Sequence, residues 1–534
     1  MNINMKCSIL KEKGGLDMKT KVVLDALVPR EDFDIKDESG VAVNRNILTM
    51  SITDLDYNSF LYSAIKKPDF QRETNEWDAA KIYQLVLSFI EGELIPSVIL
   101  WKSVSNHIFV IDGSHRISAL AAWVNDDYGD GFISRKYFDN EIPEGQLKSA
   151  KYTRELINNT IGSYSELKKI IHNPSEDDLK NKRAKSLGSL AIQLQWVEGN
   201  SQKAEESFFR INQQGTPISN TEIKLIKARA CANGLAARAI VRSGKGHNYW
   251  SKFSEEIQSD IYKVAKEINE MLFFPEYKTP IKTLDLPIGG TLLSDQGQQL
   301  ILETINVANG LKETDELEVD DTGNKTLEFL KQCRKVVRRI NSMHPSSLGL
   351  HPVVYFYNMR GIHKIASYYA ILGFVKYLEE NNRFKDFTKV RSDFEKIMIN
   401  YEYLVQIIVR RYRQSNRGHK FITKYYISIM DLLIHGYEIE ETMKKLVESK
   451  DFDYLSKDIM TLEDVNNDRF SDGRKSNVFI LEALKSAPRC AICNGYLHKN
   501  SITIDHKVRV EDGGKGSVEN GQLAHPYCNS TYKN

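Results

Sequence analysis

The chain has 534 residues, and its 73 lysines and arginines almost balance its 71 aspartates and glutamates. Hydrophobic residues make up 41% and charged residues 27%, the mixture of a globular protein of about three domains. No apolar run reaches the roughly 18–20 residues of a membrane span and the N-terminus has no signal-peptide core, so a membrane protein, a secreted disulfide scaffold and a disordered tail protein are excluded and a cytoplasmic location is expected.

Residues 1–17 read as a loose extension, and Met18 opens a more regular segment and is a candidate native start. From residue 50 to 125 helix and strand signals alternate. Ile82, Leu85, Val86, Phe89 and Ile90 follow a helical period that Gly92 and Pro96 break. Residues 97–100 and 107–111 are short β-rich runs, and residues 115–124 resume helical spacing. Residues 185–215 predict a strand and then a helix ending at Gly215. Ser219 with Glu222 makes a capping box for a helix over 220–229. Residues 250–480 look mainly helical, through stretches such as 368–380 and 421–437. An acidic stretch, 311–325, predicts an exposed loop, and residues 466–475 read as a linker.

Six cysteines are unevenly placed. Cys7, Cys231 and Cys333 are isolated and read as inert thiols. Cys490, Cys493 and Cys528 cluster near the C-terminus, which points to metal in a chain with no export signal. Cys490-x2-Cys493 and His525-x2-Cys528 together supply four ligands, enough for one closed tetrahedral zinc. A segment of about 50 residues has a small core and commonly needs such a staple, so this zinc is expected to be structural. His498 reads as a surface histidine.

Between the knuckles stand Asp505-His506 after a β-like run, then Gly513-Gly514, Asn520, Asn529 and Lys533. This segment resembles the HNH (ββα-metal) endonucleases, in their zinc-knuckle, McrA-like branch. The resemblance implies His506 as general base, Asp505 and Asn529 as ligands of a catalytic Mg²⁺ or Mn²⁺, and Asn520 as the residue holding the loop that orients His506. Hard oxygen ligands suit such a cation, and phosphodiester hydrolysis needs both a base and positive charge. His525 stands where the branch commonly has cysteine. It is assigned to zinc, with service to the catalytic metal as the rival, and a non-catalytic zinc-binding DNA module is the bland reading of the whole segment. From Lys485 onward seven basic residues face four acidic ones, a net +3 suited to a polyanion.

Upstream, Asp112-Gly113-Ser114-His115-Arg116 sits between a strand and a helix. A Gly-bearing turn at a helix N-terminus offers free N–H groups to an anion, Ser114 can cap the helix, and Arg116 can fork onto a phosphate. Structural capping without any ligand explains the turn equally well. Together with Phe70-Gln71-Arg72, Trp77, Ile95-Pro96 and Phe209-Arg210-Ile211-Asn212-x-x-Gly215, the motif resembles the GmrSD-type N-terminal domain, of ParB/sulfiredoxin-like fold, over roughly residues 50–260. SspE restriction proteins carry this domain. The resemblance implies nucleotide binding, of GTP or ATP, with NTP hydrolysis and sensing of modified DNA in some members. Asp112, Gly113, Ser114, His115 and Arg116 would lie at the phosphates, flanked by Gln71, Arg72 and Asn212. The family has Gln-Gln where Ser114-His115 stands, which leaves nucleotide identity and hydrolysis open. The sulfiredoxin cysteine is Ser114 here, which argues against peroxiredoxin repair.

Two basic runs, 331–339 and 409–420, are candidate DNA-tracking helices or solvated faces. The expected class is multidomain α+β. The expected domains are an extension (1–17), a ParB/sulfiredoxin-like nucleotide-binding or DNA-sensing domain (18–260), a helical coupling domain (261–475) and an HNH domain (476–534). The expected function is a type IV-like, modification-dependent defence endonuclease gated by its N-terminal domain, with DNA (modified phage DNA in particular) and nucleotide as partners, no membrane, and oligomeric state open. The alternatives are a nucleotide-dependent DNA-binding regulator with an inactive HNH segment and an ungated HNH nuclease.

Overall fold

The computed structural model describes residues 21–33, 47–71, 77–214, 220–245, 248–292, 295–312, 315, 317–412, 415–455 and 471–532. Within its helices, only the backbone of residues 212–214, 220, 222, 295 and 415–417 is described. Cys7, Arg72, the proposed cap at Ser219, Lys533, residues 466–470 of the expected linker and the side chain of Asn212 therefore lie outside the described residues. The chain divides into two compact units, residues 1–229 with 245–249, and residues 230–244 with 250–534.

The first unit is built on a six-stranded mixed sheet. In chain order its strands are β1 (Arg30–Glu31), β2 (Thr49–Ser51), β3 (Ile65–Pro68), β4 (Val98–Lys102), β5 (Ile108–Asp112) and β6 (Ala191–Trp196). Their spatial order is β1-β3-β5-β4-β6-β2. β5 runs parallel to β3 and antiparallel to β4, and β4 runs parallel to β6. Both faces of the centre are covered, so β5 reads as an unbroken apolar run. Ile108 and Val110 enter one core with Val98, Leu100, Ile117 and Trp123. Phe109 and Ile111 enter the other with Phe33, Phe70, Trp101 and Phe208.

The Ala79–Ile90 helix begins at Asp78, whose carboxylate accepts from the Lys81 N–H at 2.9 Å. It buries Ile82, Val86, Phe89 and Ile90 in the first of these cores and stops before Gly92, where φ is +73°. The expected period and its breaker are both present. The Ser114–Asn125 helix follows β5 after one residue.

The second unit is mainly helical and ends in a small two-stranded sheet, β7 (Thr503–His506) and β8 (Gly521–Ala524). Its central helix, Ile365–Glu380, buries Tyr368 to Leu372, Phe374, Val375 and Leu378. Apolar surface nearly all round marks a helix surrounded by others, here Asp295–Ala308 and Ser415–Ile434 among them.

Three local expectations are corrected. The acidic stretch is not all exposed loop: Asp320 is buried and accepts from the N–H groups of Gly323 and Thr326, closing the start of the Asn324–Ile340 helix. The linker cannot run to 475, because Ser471 caps a helix that starts at Asp472. His498 is not a surface residue. It is 3% exposed, with Nδ1 3.2 Å from Asn341 Nδ2 and Nε2 3.2 Å from Asp285 Oδ1, because helical-region loops cover it. The first two corrections come from local capping by Asp320 and Ser471, and only His498 is buried by contacts from far along the chain.

The isolated cysteines have structural surroundings. Cys333 is fully buried, which pushes its thiol up to about 12, and the half-buried Cys231 donates to the Leu317 carbonyl at 3.2 Å.

Candidate metal centre and its hairpin

The Cys490, Cys493, His525 and Cys528 ligand atoms all lie within 4.8 Å of one another, and all four residues are buried. A tetrahedral zinc with metal–sulfur distances of about 2.3 Å needs ligand–ligand edges of about 3.8 Å. Cys493 Sγ and Cys528 Sγ lie 3.3 and 3.9 Å from His525 Nδ1. The cluster can therefore hold a metal such as zinc with little movement.

Local turns build it. The first knuckle closes through Cys490 N–H to Gly495 O and Asn494 N–H to Cys490 O, both 2.9 Å, with Asn494 at φ +53°. It is tied to β8 by Ala491 N–H to Leu523 O at 2.9 Å. The second knuckle leaves β8 directly and enters the helical turn Cys528–Tyr532. His525 Nε2 lies 3.0 Å from the Tyr496 carbonyl, so Nε2–H donates there and Nδ1 keeps its lone pair for the metal. This is the outer-shell pattern that fixes a ligating histidine's tautomer. Cys490, Cys493 and Cys528 share hydrogen bonds, which lower one thiol and raise the other two, so the three sulfurs titrate as one group. A deprotonated sulfur is the form a metal takes.

β7 and β8 pair Asp505 with Gln522 and His506 with Gly521. Alternation puts Asp505 on the inner face, 6% exposed, where its Oδ2 accepts from Gln522 Nε2 at 2.7 Å. His506 lies on the other face with the exposed Ile504 and Leu523. Asn520 ties down the loop after His506. Its Oδ1 accepts from Val508 N–H at 2.8 Å, and its Nδ2 donates to the carbonyls of Val508 and Lys515 at 3.1 and 2.8 Å. Within that loop Gly513 adopts φ +86°, and a Cβ on Gly514 would sit 1.9 Å from the Val508 oxygen. The Gly-Gly pair is thus a backbone requirement. Asn529 Nδ2 donates to Thr503 Oγ1 and Ile504 O at 3.3 and 3.2 Å, which fixes its amide beside β7. Asp505 and Asn529 offer hard oxygens on and beside one strand, a donor set that suits Mg²⁺ or Mn²⁺.

This module is seated on the helical part of the same unit. Tyr527 N–H donates to Ser347 O at 3.0 Å, Ser501 Oγ donates to Ser342 O at 2.8 Å, and Ser530 Oγ donates to Pro345 O at 2.7 Å. Lys499 pairs with Asp285. This seat is invisible in the sequence, because no periodicity or motif links residues 285 and 341–351 to the knuckles.

In the first unit the turn after β5 is arranged differently. Gly113 is the N-cap at φ +100° and Ser114 is the first helical residue, with no side-chain cap; the expected capping by Ser114 is corrected accordingly. Arg116 Nη2 donates to Asp112 Oδ2 at 2.6 Å and to Ser97 O at 3.1 Å. A Cβ on Gly113 would meet Arg116 Nη2 at 2.9 Å, so the glycine gives this guanidinium its room. His115 stacks on Trp77, ring centroids 5.6 Å apart. Gln71 is 8% exposed, and its carbonyl accepts from the Arg30 guanidinium at 3.2 and 3.4 Å. Asp112, Gly113, Arg116, His115 and Trp77 are therefore linked through this turn.

The basic run 331–339 is committed to the fold. Arg334 and Arg338 pair with Glu267, and Lys335 and Arg339 with Glu379. In the second run Arg411 stacks on Tyr454 and Tyr412 on Phe421. The side chains of Arg413 and Arg417 lie outside the described residues.

Residues 52–231 match the family model of the GmrSD restriction endonuclease N-terminal domain, and residues 490–534 match that of the HNH endonucleases. No curated protein and no solved structure matches the chain. The protein thus joins a GmrSD-type N-terminal domain to a nuclease domain of HNH type, a combination that supports a restriction-type nuclease with DNA as substrate. No helix among the described residues is long and apolar enough to cross a membrane.

Proposed function

We propose that this protein is a cytoplasmic defence endonuclease of modification-dependent, type IV-like kind, which cuts DNA with residues 476–534 under the control of its N-terminal domain. The observation that carries the reading is the β7–β8 hairpin: Asp505-His506 on one strand, a loop tied down by Asn520, and Asn529 held beside that strand.

In this reading His506 takes the proton from the attacking water. Asp505 and Asn529 hold a divalent cation, which when bound supplies positive charge to the phosphate and the leaving oxygen. Asn520 fixes the backbone on both sides of Val508 and so limits where the His506 ring can turn. Gln522 orients the Asp505 carboxylate through its 2.7 Å hydrogen bond. The zinc of the knuckles has four protein ligands and no open position, so it is structural.

The N-terminal domain binds a nucleotide phosphate, GTP or ATP, at the turn 112–116, and Gln71, Arg72 and Asn212 are further candidate contacts on the strength of the family resemblance. Arg116 exchanges its Asp112 partner for the phosphate, which gives the bound and free states different hydrogen bonding around one helix N-terminus. Such a difference is what a gate requires. Residues 261–475 couple that state to the cutter. Modified phage DNA is the sensed ligand.

The test is plasmid cleavage by purified protein in Mg²⁺ or Mn²⁺, beside His506→Ala. Cleavage by wild type, with loss in the variant at unchanged zinc content and circular dichroism, supports the reading. Equal cleavage by both proteins removes His506 as the base. No cleavage under any condition favours the DNA-binding regulator.

A further inference from the structure

The zinc ligands are not enclosed by their own segment alone. Beneath them lies Arg391, on the Phe384–Asn400 helix, with its side chain 2% exposed. Every guanidinium nitrogen has a partner. Nε donates to Glu395 Oε1 at 2.8 Å, Nη2 donates to Gly349 O at 3.0 Å, and Nη1 donates to Leu348 O and lies 3.3 Å from His525 Nδ1. With zinc on Nδ1 the guanidinium would stand beside the imidazole as a neighbouring charge and not as its hydrogen-bond donor, held there by Glu395 and the carbonyls of residues 348 and 349.

Glu395 is fully buried and closes the circuit from the other side. Its Oε2 accepts from Tyr496 N–H at 2.7 Å, and its Oε1 also accepts from the Tyr355 hydroxyl at 3.0 Å. The Tyr496 carbonyl is in turn the partner of His525 Nε2. The Nε2 side of the imidazole is thus linked through Tyr496 to Glu395, and its Nδ1 side faces Arg391, 134 residues away in sequence. The fit is close: a Cβ on Gly495 would lie 2.5 Å from Arg391 Nε, and a Cβ on Gly349 would lie 2.5 Å from His525 Cδ2.

The charges agree. Three thiolates and a neutral imidazole around Zn²⁺ leave a net charge of about −1, and a buried charge of that kind needs a partner. Arg391 is the cation in contact.

We infer that Arg391, fixed by Glu395 and by the carbonyls of residues 348 and 349, is a positioning residue of the zinc centre, so that the helical part of this unit supplies the metal site's outer shell. The inference rests on the zinc reading of the four-ligand cluster and is independent of nuclease activity.

The experiment uses the full chain and three variants, Arg391→Met, Arg391→Lys and the charge-free pair Arg391→Met/Glu395→Gln. Zinc affinity is read by competition with a chromophoric chelator, the ligand field by the visible spectrum of the Co²⁺-loaded protein, and folding by circular dichroism. Outer-shell losses weaken metal binding by about 10–100-fold, and that is the change expected for Arg391→Met, with a shifted Co²⁺–thiolate band. Arg391→Lys, which keeps the charge but not the fork, recovers part of the affinity. The charge-free pair separates this role from a merely structural one, because removing both members of a buried ion pair is commonly neutral for stability. It should melt near wild type yet keep the weakened zinc affinity. Wild-type zinc affinity in that folded double variant would overturn the inference. A well-folded wild type holding no zinc would remove the zinc reading itself, and the inference with it.

Discussion

The β5 turn and the zinc-knuckle hairpin both bring polar side chains together near a β-strand, yet they use them in opposite ways. At the turn the charged group satisfies itself: Arg116 is bound to Asp112 and to Ser97 O, and His115 lies against Trp77. At the hairpin the candidate reactive groups are each held by a neighbour that is not itself reactive. Gln522 holds Asp505, Asn520 holds the loop behind His506, and the Thr503 and Ile504 oxygens hold Asn529. The first arrangement must open to bind a ligand. In the second, each candidate group or its loop is already held by a neighbour. A preformed site suits chemistry, where misplacement costs rate, and a self-paired site suits a sensor, whose two states must differ.

The largest effect that could break this comparison is at the base. His506→Ala should lower cleavage by about 10²–10⁴-fold, the usual share of a general base, while leaving zinc content and melting unchanged. An active variant would place the chemistry elsewhere. Cys490→Ser should release zinc and lower the melting temperature of the second unit. Metal analysis beside calorimetry checks this, and unchanged metal content would refute the cluster.

Acid sharpens the contrast between the units. Burial pushes His363 and His498, both in the second unit, down to about 4. Unfolded, they take protons below about pH 6.5. The unfolded state therefore binds more protons between pH 6.5 and 4, and stability falls as pH falls through that window. The full loss is on the order of 3 kcal/mol for each histidine, at 1.36 kcal/mol per unit. Urea unfolding at pH 7.5 and 4.5 should show it in the second unit, and a flat response would contradict the burial of these side chains.

Smaller effects probe the supports. Asn520→Ala removes three hydrogen bonds of the loop after His506 and should cost about tenfold or more in cleavage, in line with other outer-shell losses. Unchanged kcat would mean the loop does not set the His506 position. Arg116→Ala should weaken nucleotide binding by about tenfold, since losing a charge-assisted hydrogen bond costs about 1.5–3 kcal/mol. That is the smallest effect, because Asp112 already competes for the guanidinium. Unchanged affinity in a titration would remove this site.

How legible each region was in the sequence follows from how far its contacts reach. The helix over 79–90, strands β4 and β5, and the helix after Gly113 were readable because their periods and breakers are local. The knuckles were readable because four ligands at two short spacings have few other uses. Arg391, Glu395 and the loop 341–351 were not, because a buried ion pair on a helix looks in sequence like an ordinary i,i+4 surface pair. The run 331–339 misled in the converse way. Its cations suggest a polyanion, but Glu267 and Glu379 on other helices already pair with four of them.

If a self-paired sensor controls the cutter, cleavage must depend on what the sensor binds. The most direct measurement is cleavage of matched modified and unmodified phage DNA by the full chain in Mg²⁺ or Mn²⁺, with and without each nucleotide, beside His506→Ala and Arg116→Ala. Cutting is expected to require His506, to depend on modification or nucleotide, and to lose that dependence in Arg116→Ala. Cutting that requires His506 but is indifferent to modification, nucleotide and Arg116 would contradict such control, leaving an ungated nuclease.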